Sequence, residues 1–209
     1  MPEPATRLST HASMHPGLRT LILGSTSTYR RELLSRLRLP FGVVAPLVDE
    51  TRLHGELPQD LALRLACAKA EAVAQLHPQA VVIGSDQVAD LHGEPLGKPG
   101  SHARAVVQLQ KMQGQQVIFQ TAVSVVCTEI GFKQTVLAAV KVQFRHLSNA
   151  EIERYLQAEQ PYDCAGSAKS EGLGISLLDS IESDDPTTLV GLPLIRTCQL
   201  LRLAGIQIP

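Results

Sequence analysis

Hydrophobic and polar positions alternate along the first half of the chain with two different periods. Short runs of β-forming residues predict strands at 20–23, 41–44 and 81–87. Between them, apolar residues that recur every three or four positions predict helices over 29–37 and 58–76. Strands that alternate with helices in this way favour an α/β fold.

The second half of the chain contains longer runs of β-forming residues. A strand at 87–91 is predicted to turn at 92–94, and the runs at 115–127 and 136–144 predict an antiparallel pair. Helices are predicted over 101–112, from a capping box at Ser148 to about Gln157, and over 193–204. A β-rich middle after an alternating start predicts a mixed twisted sheet with flanking helices, arranged in two lobes.

The composition excludes several classes of function. The formal net charge is -1, and the chain has four Phe, three Tyr and no Trp. A nucleic-acid surface needs a basic field and aromatic stacking platforms, so we expect no nucleic-acid partner. The four cysteines lie far apart and no pair has C-x-x-C spacing, which indicates reduced buried thiols rather than a zinc site or a disulfide framework.

The sequence also lacks the signals of membrane insertion and export. No run approaches the ~18 consecutive apolar residues of a transmembrane helix, so we expect no membrane partner. Residues 1–18 contain no apolar segment typical of a secretory signal and are predicted to form a flexible extension, with Met14 as an alternative start. We therefore expect a cytoplasmic protein with a single domain over 19–209.

The central run at 81–87 ends in Gly84, Ser85 and Asp86. Three β-formers closed by small residues are typical of a strand that is buried on both faces. Open α/β sheets bind their ligands at the carboxyl ends of such strands, so we expect Asp86 at the edge of the sheet in a ligand site. An aspartate that caps a turn through local hydrogen bonds is the alternative reading of this residue.

The first predicted strand leads into a hydroxyl-rich loop and then a helix. Ser25 and Ser27 lie in that loop, and Arg30 lies one turn into the helix. Free backbone N–H groups and the helix dipole favour an anion at such a helix start, and Arg30 is placed to close over it. Many helices begin with a serine cap and bind nothing, so the pattern alone leaves both readings open.

Two lysines have positions that permit a functional role. Lys69 lies at the edge of the apolar stripe of the helix over 58–76, where it either extends to solvent or reaches into a cleft. Lys98 lies between Gly97 and Pro99, and its position before the proline constrains its backbone and aims the side chain. An exposed loop lysine is the alternative for Lys98.

Several short motifs occur in one fixed order between residues 20 and 204. They are Leu23-Gly24-Ser25-Thr26-Ser27 with Arg30-Arg31, Asp49-Glu50-Thr51, Ala68-Lys69-Ala70, Gly84-Ser85-Asp86, Gly97-Lys98-Pro99, Ala165-Gly166-Ser167 and Val190-Gly191-Leu192-Pro193. Together they resemble the Maf family of nucleoside triphosphate pyrophosphatases. The resemblance implies a two-lobed fold, similar to that of inosine triphosphatases, around a central nucleotide cleft.

The resemblance also implies a reaction and roles for the residues. A nucleoside triphosphate is hydrolysed between its α and β phosphates with a divalent cation, Mg²⁺ or Mn²⁺, as cofactor. By resemblance Asp86 is the proton acceptor, Glu50 and Asp86 hold the metal, and Lys69 acts in catalysis. Ser25, Ser27, Arg30 and Lys98 are then expected to bind phosphates, because developing charge on phosphorus needs such neutralisation.

Base choice depends on three further positions: Tyr29, Gln87 and Glu171. With Ser85-Asp86-Gln87 and Glu171, the chain looks like the family branch that acts on 7-methyl-GTP, although that branch often has Trp where Tyr29 stands. A cationic 7-methylguanine is attracted to an aromatic face, and a carboxylate at Glu171 accepts from the guanine edge. Gln87 is expected on the opposite side of the strand from Asp86.

Two alternative functions stay open at this point. The same enzyme class with a preference for dTTP or UTP is one, and a non-catalytic nucleotide-binding regulator of cell division is another. Either alternative is compatible with a Tyr29 side chain that packs on its own helix and a Glu171 side chain that is exposed to solvent. A nucleoside triphosphate is the expected partner of the enzyme, and the exposed β-ribbon edges together with the resemblance suggest a homodimer.

Overall fold

A mixed sheet runs through the computed structural model, which describes residues 19–209. The predicted extension over 1–18 lies outside this range. The strands within the described residues are β1 (Leu21–Gly24), β2 (Phe41–Val44), β3 (Val81–Leu91), β4 (Glu94–Leu96), β5 (Gln116–Cys127), β6 (Phe132–Phe144) and β7 (Leu178–Glu182). They form one seven-stranded sheet in the order β2-β1-β3-β5-β6-β7, with β4 paired to β3.

Five α-helices accompany this sheet over residues 19–209. They are α1 (Thr28–Ser35), α2 (Pro58–Leu76), α3 (His102–Met112), α4 (Asn149–Glu159) and α5 (Leu194–Leu203). Short 3₁₀ turns lie at Thr128–Ile130, Ala165–Ser167, Leu173–Leu177 and Thr188–Val190. The bounds of α2 match the prediction, and the capping box at Ser148 is confirmed, since its side chain and that of Glu151 cap each other's backbone.

The strand directions make the sheet mixed, as the sequence predicts. Strand β1 pairs in parallel with β2 and β3, whereas β3, β5, β6 and β7 pair in antiparallel fashion. Helices α1 and α2 separate the parallel strands in the sequence, whereas the antiparallel pair β5–β6 is joined by a short connection. The α/β prediction with a mixed sheet is therefore confirmed.

The expected break after the apolar run of the central strand is wrong. Strand β3 continues through Gly84 and Ser85 to Leu91, because β5 pairs with it from Val82 to Asp90. Its other edge pairs with β1 only up to Gly84 and with β4 only from Ala89. Asp86 therefore lies in mid-strand, and it reaches the edge of the sheet because β1 ends there.

Helices on the two faces of the sheet produce the two lobes. Helix α2 packs on one face, against residues such as Val82 and Val88. On the other face, α1 and α5 pack around Ile83, while α3 and α4 pack around Phe119. The predicted arrangement in two lobes is confirmed, and the gap between these two helix pairs leaves the edge of β3 accessible.

Some elements differ from the prediction at their ends or were not predicted. Strand β6 begins at Phe132 rather than 136, and β7 has a polar sequence whose alternation gives no clear strand signal. The Gly- and Ser-rich segment over 164–174 contains two short 3₁₀ turns. Gly166 has a φ of 67° there, and a Cβ on it would lie 3.2 Å from that of Ala89, so close packing fixes its conformation.

No helix among residues 19–209 is both long enough and apolar enough to cross a membrane.

Candidate active site

A cavity of about 330 Å³ lies at the edge of β3, between the two lobes. Nine of the ten residues singled out in the sequence line it, namely Ser25, Ser27, Tyr29, Arg30, Glu50, Lys69, Gln87, Lys98 and Glu171. The tenth, Asp86, is buried and bound to Lys69. The fold therefore brings all ten positions to one place from six separate parts of the chain.

Close packing of α2 on β3 sets the position of Lys69. A Cβ on Gly84 would lie 2.4 Å from the carbonyl oxygen of Ala66 and 2.5 Å from the backbone nitrogen of Ala70. Only glycine permits this approach. Lys69 is next to Ala70 in the helix, and Asp86 faces the helix two residues after Gly84, so the contact places the two charged side chains together.

Lys69 joins two carboxylates. Its Nζ lies 2.6 Å from Oδ1 of Asp86 and 2.8 Å from Oε1 of Glu50, which is in the loop between β2 and α2. Lys69 and Asp86 are 6% and 7% exposed, whereas the side chain of Glu50 is 59% exposed. The sequence left open whether Lys69 extends to solvent, and the structure places it inside the cleft.

The surrounding cations influence the ionisation of Glu50. Burial acts to raise its pKa, and the hydrogen bond from Lys69 acts to lower it. The charges of Lys69, Lys98 and Arg30 lower it further, so that the pKa of Glu50 lies below its ordinary value. Glu50 is thus ionised at neutral pH.

The loop between β1 and α1 is ordered by its own hydroxyl groups. Oγ of Ser27 accepts a hydrogen bond from the backbone N–H of Arg30 and caps α1. Oγ of Ser25 accepts from the backbone N–H of Ser27 at 3.1 Å. The predicted cap is therefore confirmed, and these bonds fix the loop at the mouth of the cavity, where the start of the helix favours an anion.

Arg30 is aimed across the cavity by a backbone carbonyl. Its Nε donates to the oxygen of Gly191 at 2.8 Å, and the same oxygen accepts from Oγ of Ser85 at 3.1 Å. Burial lowers the pKa of Arg30 from its ordinary value, while the charges of Asp86 and Glu50 oppose that change. A guanidinium stays protonated despite such a change, so Arg30 is a fixed positive charge.

Tyr29 lines the cavity beside two acidic side chains, those of Asp163 and Glu171. Burial raises the pKa of its hydroxyl, and the neighbouring Cys164, Asp163 and Glu171 raise it further. The Nζ of Lys169 lies 5.8 Å from the centre of the Tyr29 ring. Tyr29 is therefore part of the cavity wall, and it is not packed on its own helix.

Gln87 and Asp86 point to opposite faces of β3, as their adjacent positions in an extended strand require. Asp86 faces α2, whereas the side chain of Gln87 contacts residues 188 and 189 of a turn over 188–191, here called the 188–191 turn. The expected division of these two side chains between the faces of the strand is confirmed.

A family model described as Maf-like protein matches residues 20–204 of the chain. The chain belongs to the Maf-like family. It is 69% identical over 193 residues to the 7-methyl-GTP pyrophosphatase of Albidiferax ferrireducens, a match that covers 92% of this chain and 97% of that one. It is 65% identical over 205 residues to the protein of the same name from Polaromonas sp., over 98% of this chain and 94% of that one.

Among solved structures, the Staphylococcus aureus Ham1 protein aligns with this Maf chain with a TM-score of 0.44 and 18% sequence identity. The alignment covers 60% of this chain and 72% of the other.

The cavity of this Maf chain also contains residues that the sequence reasoning did not single out. Asp163 and Cys164 line it beside Tyr29, and the 188–191 turn closes one wall. Lys169 adjoins Tyr29 and pairs with Glu159 at 2.8 Å. Charges within a Gly- and Ser-rich segment are the signal that points to Lys169. The motif that begins at Val190 and Gly191 marks the end of the turn, but its contact with Gln87 is evident only from the structure.

Proposed function

We propose that the chain is a nucleotide pyrophosphatase that hydrolyses 7-methyl-GTP to 7-methyl-GMP and pyrophosphate. The observation that carries the proposal is the charge distribution of the cavity. Cations and the start of α1 line the cavity, and the side chain of Tyr29, in the first turn of α1, lies beside two acidic side chains, Asp163 and Glu171. Such a cavity matches a ligand with an anionic triphosphate and a cationic base. The names of the similar proteins from Albidiferax ferrireducens and Polaromonas sp. support the same substrate.

The phosphate end is formed by Ser25, Ser27, Arg30 and Lys98. Arg30 supplies a charge held in place by Gly191, and the start of α1 supplies unpaired backbone donors. Fixed donors of this kind stabilise negative charge that develops on phosphate oxygens during hydrolysis, because they need no reorganisation. These residues therefore bind the triphosphate and hold its α phosphorus near Asp86.

The donor set fits a divalent cation that the substrate helps to bind. No group of three or more His, Cys, Asp or Glu side chains suited to a metal occurs within residues 19–209. Mg²⁺ commonly binds through one or two carboxylates, substrate phosphates and water. Glu50 and Asp86 are two such carboxylates, 2.8 Å and 2.6 Å from the same Lys69 Nζ. When bound there, Mg²⁺ or Mn²⁺ would neutralise charge on the triphosphate.

Asp86 is the residue that takes the proton from the attacking water. Its Oδ1 is bound to Lys69, and its Oδ2 has no hydrogen-bond partner among the described side chains and backbone groups. Oδ2 is thus the oxygen available to orient a water molecule. Lys69 holds Asp86 and Glu50 in fixed positions, so that the carboxylate need not move during the reaction.

The base end of the cavity favours a cation. An aromatic face attracts a cationic ring by about 0.5–2 kcal/mol, and Glu171 and Asp163 add negative charge beside Tyr29. The ammonium of Lys169 is close to the same ring, but Glu159 is paired with it and compensates its charge. A neutral thymine or uracil would gain less from this environment than 7-methylguanine.

A substrate panel tests the proposal. The purified protein is assayed with Mg²⁺ and 7-methyl-GTP, GTP, UTP or dTTP, and kcat/KM is determined for each. We expect 7-methyl-GTP to have the highest value. A preference for UTP or dTTP would contradict the base assignment, and no hydrolysis of any nucleotide would favour a non-catalytic regulator.

The homodimer and the cytoplasmic location stay predictions. Light scattering coupled to size-exclusion chromatography measures the mass in solution, and a monomer would contradict the expected dimer.

A further inference from the structure

The side-chain amide of Gln87 is held from its nitrogen end. The two hydrogens of Nε2 are shared among three acceptors: Oγ1 of Thr121 at 2.9 Å, the carbonyl of Thr188 at 3.0 Å and the carbonyl of Leu189 at 3.1 Å. Backbone carbonyls only accept hydrogen bonds. The nitrogen must therefore face the 188–191 turn, since the reverse orientation would place the amide oxygen against two carbonyl oxygens about 3 Å away.

The oxygen of the same amide is free of protein partners. Oε1 of Gln87 has no hydrogen bond to any described residue. Within residues 19–209, Oγ1 of Thr188 is the one side-chain nitrogen or oxygen that is both buried and without a partner, so the unpaired Oε1 of Gln87 is not buried. Oε1 is therefore accessible, and Gln87 lines the cavity. The group that Gln87 presents to a ligand is a hydrogen-bond acceptor.

Thr121 is the neighbour that completes this arrangement. It lies directly across from Gln87 in the pairing of β3 with β5, and it is 0% exposed. Its hydroxyl donates to the carbonyl of Thr188 at 3.2 Å, so that a lone pair of the same oxygen is left to accept from Gln87. Thr121 thus couples the amide to the turn.

The 188–191 turn is itself fixed from behind. Asp185 is 1% exposed and accepts hydrogen bonds from the hydroxyl of Thr187 at 2.7 Å and the backbone N–H of Ile195 at 2.7 Å. The carbonyl of Gly191 is held by Arg30 and Ser85. Because the turn is anchored at both ends, rotation of the Gln87 amide would leave several buried groups without partners.

We infer that Gln87, oriented by Thr121 and the 188–191 turn, accepts a hydrogen bond from the 2-amino group of a purine base. This inference rests on the proposed function and specifies how its site reads the base. Glu171 is a second acceptor in the same cavity. Two acceptors select a base edge with adjacent donors, as in guanine with its N1–H and 2-amino group. Hypoxanthine lacks the amine, and uracil has one ring N–H between two carbonyls.

A pair of substrates that differ only in the 2-amino group tests the inference. The wild type is assayed with 7-methyl-GTP and 7-methyl-ITP, which lacks that group. We expect kcat/KM to be at least about tenfold higher for 7-methyl-GTP, because a site built to hydrogen-bond a group rejects an analogue without it. Gln87→Met removes the acceptor, and we expect it to reduce this ratio by about tenfold.

Thr121 supplies the matched test of positioning. Thr121→Val removes the hydroxyl with little change of volume, and we expect it to lower the ratio of the two kcat/KM values. Thr121→Ser keeps the hydroxyl, and we expect the wild-type ratio. The ratio within one variant is independent of the fraction of protein that is folded, so a loss of stability alone leaves it unchanged.

The outcomes separate the inference from the proposed function. Equal kcat/KM for both substrates in the wild type would overturn the inference and leave the pyrophosphatase proposal in place. An equal loss with both substrates in Gln87→Met would overturn it too, because it would indicate a contact to a group that both bases share. A wild type that hydrolyses neither nucleotide would overturn both.

Discussion

Replacing Gly84 with alanine should separate the lysine and the aspartate at the centre of the site. The added Cβ would lie 2.4 Å from the carbonyl oxygen of Ala66, and an ordinary contact needs about 3.4 Å. Helix α2 must therefore move outward by about 1 Å. Overpacking of this kind costs about 1–3 kcal/mol of folding free energy. Because α2 carries Lys69, the shift also breaks the 2.6 Å contact to Asp86.

The two consequences are measured separately. Urea denaturation of Gly84→Ala should give a free energy of unfolding about 1–3 kcal/mol below that of the wild type. Steady-state hydrolysis of 7-methyl-GTP should fall by about 10–100-fold, since an error of about 1 Å in positioning is sufficient for such a loss.

Gly42 offers a matched control in the neighbouring strand β2. A Cβ at Gly42 would lie 3.9 Å from its nearest neighbour, Cγ1 of Ile22, which is an ordinary contact. Gly42→Ala should therefore change the free energy of unfolding by less than about 0.5 kcal/mol. If Gly84→Ala behaved like this control in both stability and activity, the reasoning that close packing at Gly84 positions the site would be refuted.

Four further substitutions test individual roles. Asp86→Asn should lower kcat by about 10²–10⁴-fold with unchanged circular dichroism, and near wild-type turnover would exclude Asp86 as the base. Glu171→Gln should raise KM for 7-methyl-GTP more than for UTP, and equal increases would contradict edge reading. Tyr29→Trp should lower KM for 7-methyl-GTP, because the larger ring attracts a cation more strongly, and an unchanged KM would argue against stacking. Lys69→Met removes a charge that lowers the pKa of Glu50, so the acidic limb of the pH profile of kcat/KM should move to higher pH. An acidic limb that does not move would show that the ionisation of Glu50 does not determine it.

Much of the fold follows from local signals in the sequence. Helix α2 has a regular apolar stripe and a proline at its first turn, and its predicted bounds match the structure. The capping box at Ser148 also defines its helix start locally. Strand β7 carries no such signal, because its side chains are mostly exposed and its hydrogen bonds to β6 hold it in place.

The position of the central acid shows where local reasoning fails. Glycine and serine after an apolar run indicate a break, yet Gly84 is required by the approach of α2, and Oγ of Ser85 bonds to the carbonyls of Ala122 and Gly191. Both residues are small because of tertiary packing. The strand therefore continues through them, and Asp86 lies at an edge that the end of β1 creates.

The members of the site that the sequence did not reveal are those that act through distant contacts. Thr121 is 34 residues from Gln87 along the chain and meets it only through strand pairing. The carbonyls of the 188–191 turn have no side-chain signature at all. Such groups become visible only when the register of the sheet is known.

The central claim is that water attacks between the α and β phosphates of 7-methyl-GTP. The most direct test is to incubate the protein with 7-methyl-GTP and Mg²⁺ and to identify the products by ³¹P nuclear magnetic resonance. We expect 7-methyl-GMP and pyrophosphate in equal amounts, with both formed at least about 10²-fold more slowly by Asp86→Asn. Release of 7-methyl-GDP and orthophosphate, or no reaction, would contradict the claim.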